Sequence, residues 1–126
     1  MEQTVFDIDG SSFEDFEGFT REFNRGFVTL IGGQWKGNLD AFNDYLSWAD
    51  DRCTIRWRNS EKSRVDLGHA AMATWLSGNL TRCHPTNRPS VQQRLDDAKN
   101  GVGPTLFDTL VKIIRDNVEY VDLVLD

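Results

Sequence analysis

Three short runs limit what this chain can fold into: "VFDID" at 5–9, "CTIRWR" at 53–58 and "VDLVLD" at 121–126. In the first, Val5, Phe6 and Ile8 give a brief strand that stops at Gly10. In the second, Cys53, Ile55 and Trp57 alternate with Thr54, Arg56 and Arg58, the pattern of a strand with one apolar and one polar face. In the third, Val121, Leu123, Val124 and Leu125 are nearly continuous, as expected for a strand buried on both sides. Helical spacing fills the intervals. The order strand, helix, helix, strand, helices, strand predicts an α/β domain of two or three layers with a small, mostly parallel sheet.

Between the first two strands, Ser11 or Ser12 is expected to cap a helix whose Phe13, Phe16, Phe19 and Phe23 form one core stripe ending at Gly26. Phe27 to Ile31 reads as extended and Gly32 to Gly37 as a loop. Asn38 is the expected cap of the helix "NLDAFNDYLSWA". After the second strand, Asn59 or Ser60 opens a charged helix that ends at Gly68. Residues 69–103 have their own texture. Met72, Trp75, Leu76 and Leu80 fall at helical spacing, "RCHPTNRP" is turn chemistry, and Ser90 is the expected cap of a helix carrying Val91, Leu95 and Ala98. Leu106, Leu110, Ile113 and Ile114 mark the last helix. The expected organisation is one domain over 1–126 with 69–103 as an internal elaboration.

A chain of 126 residues can bury a real core, and 39% hydrophobic with 27% charged residues is too apolar for disorder. No apolar run is long enough to span a bilayer and no basic-then-apolar leader opens the sequence, so a cytoplasmic protein is expected. Two cysteines, Cys53 and Cys83, make no disulfide framework, and Cys53 reads as a buried hydrophobe. Fourteen basic against twenty acidic residues leave a net charge of −6, the wrong sign for a nucleic-acid binder.

Part of that negative charge is gathered where helix physics opposes it. Asp40 and Asp44 are four residues apart, a like-charge spacing that costs roughly 0.2–0.5 kcal/mol. Asp50 and Asp51 follow at the C-terminal end, which disfavours negative charge. In projection, Leu39, Phe42, Leu46 and Ala49 share one side, while Asp40, Asn43, Asp44 and Ser47 share the other. Trp48 lies at the edge of the polar stripe, and Trp35 stands in the preceding loop. An aromatic beside a fixed acidic row suits a binding surface. The alternative is an ordinary solvated helix face.

"NLDAFNDYL", together with "TIRWRNSEKS" and the terminal "LFDTLVKIIRDNVEYVDLVLD", resembles the barstar family of small intracellular inhibitors of secreted ribonucleases. The resemblance covers the chain except 69–103. It implies a three-stranded parallel sheet packed by helices, here with a helical insertion. It also implies that carboxylates on the acidic helix occupy places meant for substrate phosphates in the active site of a small, basic ribonuclease. By the resemblance, Asp44 is the principal inhibitory aspartate and Asp40 the second acidic contact. Asn38 begins the motif, and Trp35 takes the place of an aromatic laid against the enzyme. Trp48 matches a tryptophan near the helix end, and Asp116, after Arg115, stands where the family has a contacting glutamate, which makes it a shorter, more peripheral acid. Asn43 stands where the family has an interface tryptophan. Lys36 and Gly37 replace a glycine and an acid. Trp57 reads as core. The runner-up is an interaction module on the same fold without inhibitory activity.

Other chemistry has little support. Asp40 and Asp44 lack the contrast in environment that a catalytic carboxylate pair needs. His69 and His84 have no partner at metal-ligand spacing. No phosphate loop or nucleophile elbow is present. No enzyme activity, metal or cofactor is expected, nor contact with membrane or nucleic acid, and nothing demands more than a monomer. The basic run of Arg52, Arg56, Arg58, Lys62 and Arg64 reads as a salt-linked face with Asp50, Asp51, Glu61 and Asp66 within reach.

Overall fold

The computed structural model describes residues 3–49 and 51–126; Asp50, counted above in the acidic run, lies outside them. The elements are β1 Val5–Asp9, α1 Phe16–Phe23, α2 Leu39–Tyr45, β2 Cys53–Arg58, α3 Ser60–Asp66, α4 His69–Leu80, α5 Arg88–Lys99, α6 Leu106–Asp116 and β3 Val121–Leu125. The strands lie in the order β1-β2-β3 with both pairs parallel. The fold is thus α/β, a three-stranded parallel sheet packed by helices.

The register explains the layering. Phe6, Ile55 and Leu123 lie abreast, as do Ile8, Trp57 and Leu125, and these side chains point to one apolar face. The opposite face carries Asp7 abreast of Arg56, and Thr54 abreast of Asp122. Arg56 Nε donates to the Asp7 carboxylate at 2.7 Å. Helices cover the apolar face and the polar one stays at least partly open, which selects two layers over three. The terminal strand therefore departs from expectation. β3 is an edge strand in which Val121 alone is fully buried, and Val124, on the polar face, is 43% exposed.

Phe19 sits at the centre of the core, 5.0–6.2 Å from the rings of Phe13, Phe23, Trp35, Phe42 and Trp57. Edge-on and offset ring pairs of this kind add to the burial term. The Trp57 indole N–H donates to Ser63 Oγ at 3.0 Å, which ties α3 beneath the sheet. Glu22, also buried, accepts from the Asp9 N–H at 2.7 Å and from Arg25, so its charge is compensated.

Three local expectations fail for identifiable reasons. α1 is capped by Asp15, which accepts from the Gly18 N–H at 2.8 Å; Ser11 and Ser12 instead form a 3-10 turn held by the Asp9 carboxylate. Gly26 does not stop the helix. The chain widens into a π turn over Asn24–Val28 and continues as a 3-10 turn over Thr29–Ile31, where an extended segment was expected. Gly26 is the point where this turn meets the sheet: a Cβ there would sit 2.5 Å from the Asp7 carbonyl oxygen. Finally, α5 starts at Arg88 behind a 3-10 turn over Pro85–Asn87, which puts Ser90 inside the helix and not at its cap.

Residues 69–103 form a helical hairpin of α4 and α5 that buries Met72, Leu76, Val91, Leu95 and Ala98. Its two ends meet. His69 Nε2 lies 2.9 Å from the Gly103 carbonyl, and the Phe107 N–H donates to Leu67 O at 2.7 Å.

Candidate partner-binding face

The acidic helix is short and firmly placed. Asn38 caps α2 as expected, its Oδ1 accepting from the N–H groups of Asp40 at 2.8 Å and Ala41 at 3.1 Å. Gly37 precedes it at φ 101°, a conformation that favours glycine. Phe42 and Leu46 are fully buried, with the Phe42 ring 4.8 Å from Phe23 and 4.9 Å from Trp35. Asp40, Asn43, Asp44 and Ser47 are all exposed. The projection therefore holds: burial of the apolar side fixes the helix and turns the two carboxylates outward together. The helix itself ends at Tyr45, so Ser47 and Trp48 lie in the following turn.

Asp116 stands at the end of α6 that is tied to α2, but its own side chain lines a hollow with Arg64, Phe107 and Leu125. The Asn117 side-chain amide donates to Asn43 Oδ1 at 2.8 Å and to the Ile113 carbonyl at 2.9 Å, which joins the C-terminal end of α6 to the outer face of α2. Asp116, the residue before this bridge, is exposed and pairs with Lys112 at 2.7 Å. Asn43 thus has one amide oxygen engaged within the fold, although the residue is exposed. Trp48 is 53% exposed and rests edge-on against Tyr45, with ring centroids 4.6 Å apart. It is a supported aromatic beyond the helix end, where it lines a hollow with Phe6, Leu30 and Ile31.

Trp35 requires a correction. It is 2% exposed and cannot offer its ring to a partner. Its backbone N–H donates to Asn24 Oδ1 at 2.7 Å, and its carbonyl accepts from Asn24 Nδ2 at 2.7 Å. Its indole N–H donates to the Asn38 carbonyl at 2.7 Å. Glycines on both sides give the loop an open look in the sequence, but the aromatic cluster offers Trp35 more apolar contact than solvent does. Its place is beneath the site, where it braces the start of α2. Exposed Gln34 and Lys36 flank it.

Asn24 and Tyr45 are positioning residues that sequence reasoning missed. Asn24 clamps the loop through both polar groups of the Trp35 backbone. The Tyr45 hydroxyl donates to the Gln34 carbonyl at 2.9 Å. The signal for Asn24 was an asparagine inside a helical phenylalanine stripe, a residue type with a poor reason to be there unless its amide has partners.

The hairpin leaves the acidic face uncovered and stands to one side of it. α4 and α1 border a cleft of about 850 Å³ whose third wall is the chain from Lys36 to Leu39. The basic run is largely neutralised, as expected, though partly by other acids: Arg52 pairs with Asp122, Arg56 with Asp7, Lys62 with Asp66 and Arg64 with Glu61.

Among the described residues, no group of three or more His, Cys, Asp or Glu comes together as metal ligands. His84 Nδ1 is engaged with Thr86 in the turn before α5. Burial pushes the Cys53 thiol up from its ordinary value, which suits a packing residue better than a nucleophile. No helix among the described residues is long and apolar enough to cross a membrane. Comparison with protein-family models and with curated proteins returns no match for this chain.

Proposed function

We propose that this protein is a barstar-like inhibitor of a small, basic, secreted ribonuclease of the barnase-like class. It would act as an immunity protein in the cytoplasm of the cell that makes the enzyme. It performs no chemistry itself. The observation that carries the reading is the exposure of Asp40 and Asp44 on one side of α2 while Phe42 and Leu46 fix the other side in the core.

A ribonuclease active site is lined by Arg, Lys and His groups that hold phosphate oxygens through charge-assisted hydrogen bonds. A carboxylate on a rigid helix offers the same acceptor oxygens with no scissile bond. Asp44 enters the catalytic site, Asp40 contacts its wall, and Asp116 lies at the rim, with Trp48 adding contact area. Because α2 is already ordered, little conformational entropy is lost on docking. The like-charge repulsion along α2 is relieved in the complex by the enzyme's cations.

The test is titration of the protein into a fluorogenic RNA-cleavage assay with a barnase-like ribonuclease and with any ribonuclease encoded beside this gene. Stoichiometric inhibition is expected. Asp44→Ala should lose the most, about 2–5 kcal/mol of binding if the charge pair is desolvated, Asp40→Ala less and Asp116→Ala least. The association rate should fall as salt rises, since steering between opposite charges is screened. An Asp44→Ala protein as potent as wild type would sink the assignment.

A second reading, a non-inhibitory interaction module on the same fold, draws on the burial of Trp35 and the engagement of Asn43 with Asn117, which withdraw contact groups from a partner. A folded protein that inhibits neither enzyme selects it.

A further inference from the structure

The cleft between α1, α4 and the Lys36–Leu39 chain has a charge opposite to that of the protein as a whole. Arg21, Lys36 and Arg82 line it against a single carboxylate, Glu17, in a chain of net charge −6. Arg21 reaches Glu17 only loosely, at 3.8 Å with both side chains well exposed. Neither Lys36 nor Arg82 lies within ion-pair distance of a carboxylate among the described residues; Arg82 Nε donates only to the Gly78 carbonyl, at 3.2 Å. Phe16 and Trp75, both partly buried, also line the cleft and offer apolar surface between the cations. The cleft ends at Asn38 and Leu39, where the acidic helix begins, so the two features form one continuous surface.

We infer that this cleft is the second half of the partner-binding surface and receives an acidic segment of the same enzyme, anchored by one apolar or aromatic side chain. The inference rests on the inhibitor reading above and adds the partner's chemistry: its surface is bipolar, basic over α2 and acidic over the cleft. Charge complementarity carries the choice of occupant. Three cations with one nearby acid attract a carboxylate-bearing segment, and they repel the basic rim that α2 attracts. The hairpin supplies Trp75 and Arg82, so it acts as a specificity element. It selects ribonucleases that carry an acidic segment next to the active site and discriminates against uniformly basic ones. Lys36, which looks misplaced beside an acidic plug, has a role on this surface.

The sign of a charge reversal tests the inference. If the protein were an acidic plug alone, Lys36→Glu and Arg82→Glu would add negative charge near a basic enzyme and tighten binding. A bipolar interface makes both weaken it, with the double variant losing at least about tenfold in Kd against the ribonuclease inhibited in the assay above. Both side chains are exposed, so the thermal midpoint should not move, and the Trp75 indole N–H resonance should shift when wild type binds the enzyme. Inhibition retained or strengthened in the double variant overturns the cleft inference and leaves the plug intact. Absence of inhibition by wild type overturns the plug reading and this inference with it. Asp44→Ala, run alongside, shows which half of the surface has failed.

Discussion

α2 and the α4–α5 hairpin are held in place by opposite means. α2 has seven residues, too few to persist as an isolated helix. It is fixed from outside itself, by the Asn38 cap, by Phe42 and Leu46 in the aromatic core, and by Asn117 across its outer face. α4 and α5 have twelve residues each and pack chiefly on one another. Their buried side chains are aliphatic or sulfur-bearing, Met72, Leu76, Val91, Leu95 and Ala98, with none of the ring-on-ring geometry below α2. The difference teaches that a short element inherits its rigidity from what it packs on. The acidic row is presented by a helix seated on the aromatic core, and the basic cleft is shared with a hairpin that packs chiefly on itself.

The strongest way to break this contrast is to empty the support under α2. Phe42→Ala should cost about 3–5 kcal/mol in urea unfolding, and the loss should be global, because Phe42 touches Phe19, Phe23 and Trp35 at once. Leu95→Ala should cost about 2–5 kcal/mol, yet hydrogen exchange should quicken mainly in α4 and α5. If the β2 amides lost protection to the same degree, the hairpin and the sheet would be one cooperative unit and the contrast would collapse.

Smaller changes sharpen it. Asn24→Ala leaves the Trp35 N–H and carbonyl without partners and should cost about 1–3 kcal/mol, with the Trp35 indole resonance displaced. An unchanged resonance would mean the clamp does not set the loop. Asn38→Ala should cost about 1 kcal/mol and reduce inhibition further than that stability loss explains, because the carboxylates lose their fixed direction. The smallest effect is expected on the open face of the sheet. The hydrogen bond from Arg56 holds the Asp7 carboxyl below its ordinary range, and hydrogen bonds from Ser11 do the same for Asp9. A carboxylate with a depressed folded value stabilises above its unfolded value, and that contribution is lost as pH falls through the folded one. Asp7→Asn should therefore flatten the acid limb of the stability curve slightly. An unaltered limb would show that the exposed pair contributes nothing measurable.

What the sequence revealed follows from which forces act locally. The alternation in "CTIRWR" and the Asn38 cap were legible because the pleat and the first helical turn are fixed by neighbours in sequence. The outward direction of Asp40 and Asp44 was legible because Phe42 and Leu46 could only point the other way. Phe27 to Ile31 misled because its β-branched and aromatic residues favour a strand, while burial of Phe27 and Val28 against β1 holds them in helical turns; the Phe27 ring meets Phe6 edge-on at 5.0 Å. Trp35 misled because its partner, Asn24, is eleven residues away and on another element. Val124 misled because an aliphatic run cannot tell whether its strand lies at the edge of a sheet.

The meeting of Leu67 and His69 with Gly103 and Phe107 has a further consequence. The chain leaves the body and returns to it at one place, so the hairpin is a side branch whose length is uncoupled from the register of β2 and β3. Each doubling of a flexible closed loop costs only about 0.6 kcal/mol, so branches of many lengths could be grafted at this junction without redrawing the sheet. The junction is thus a natural point of exchange, where one scaffold could trade the helical wall of the cleft beside its acidic helix and leave the helix untouched.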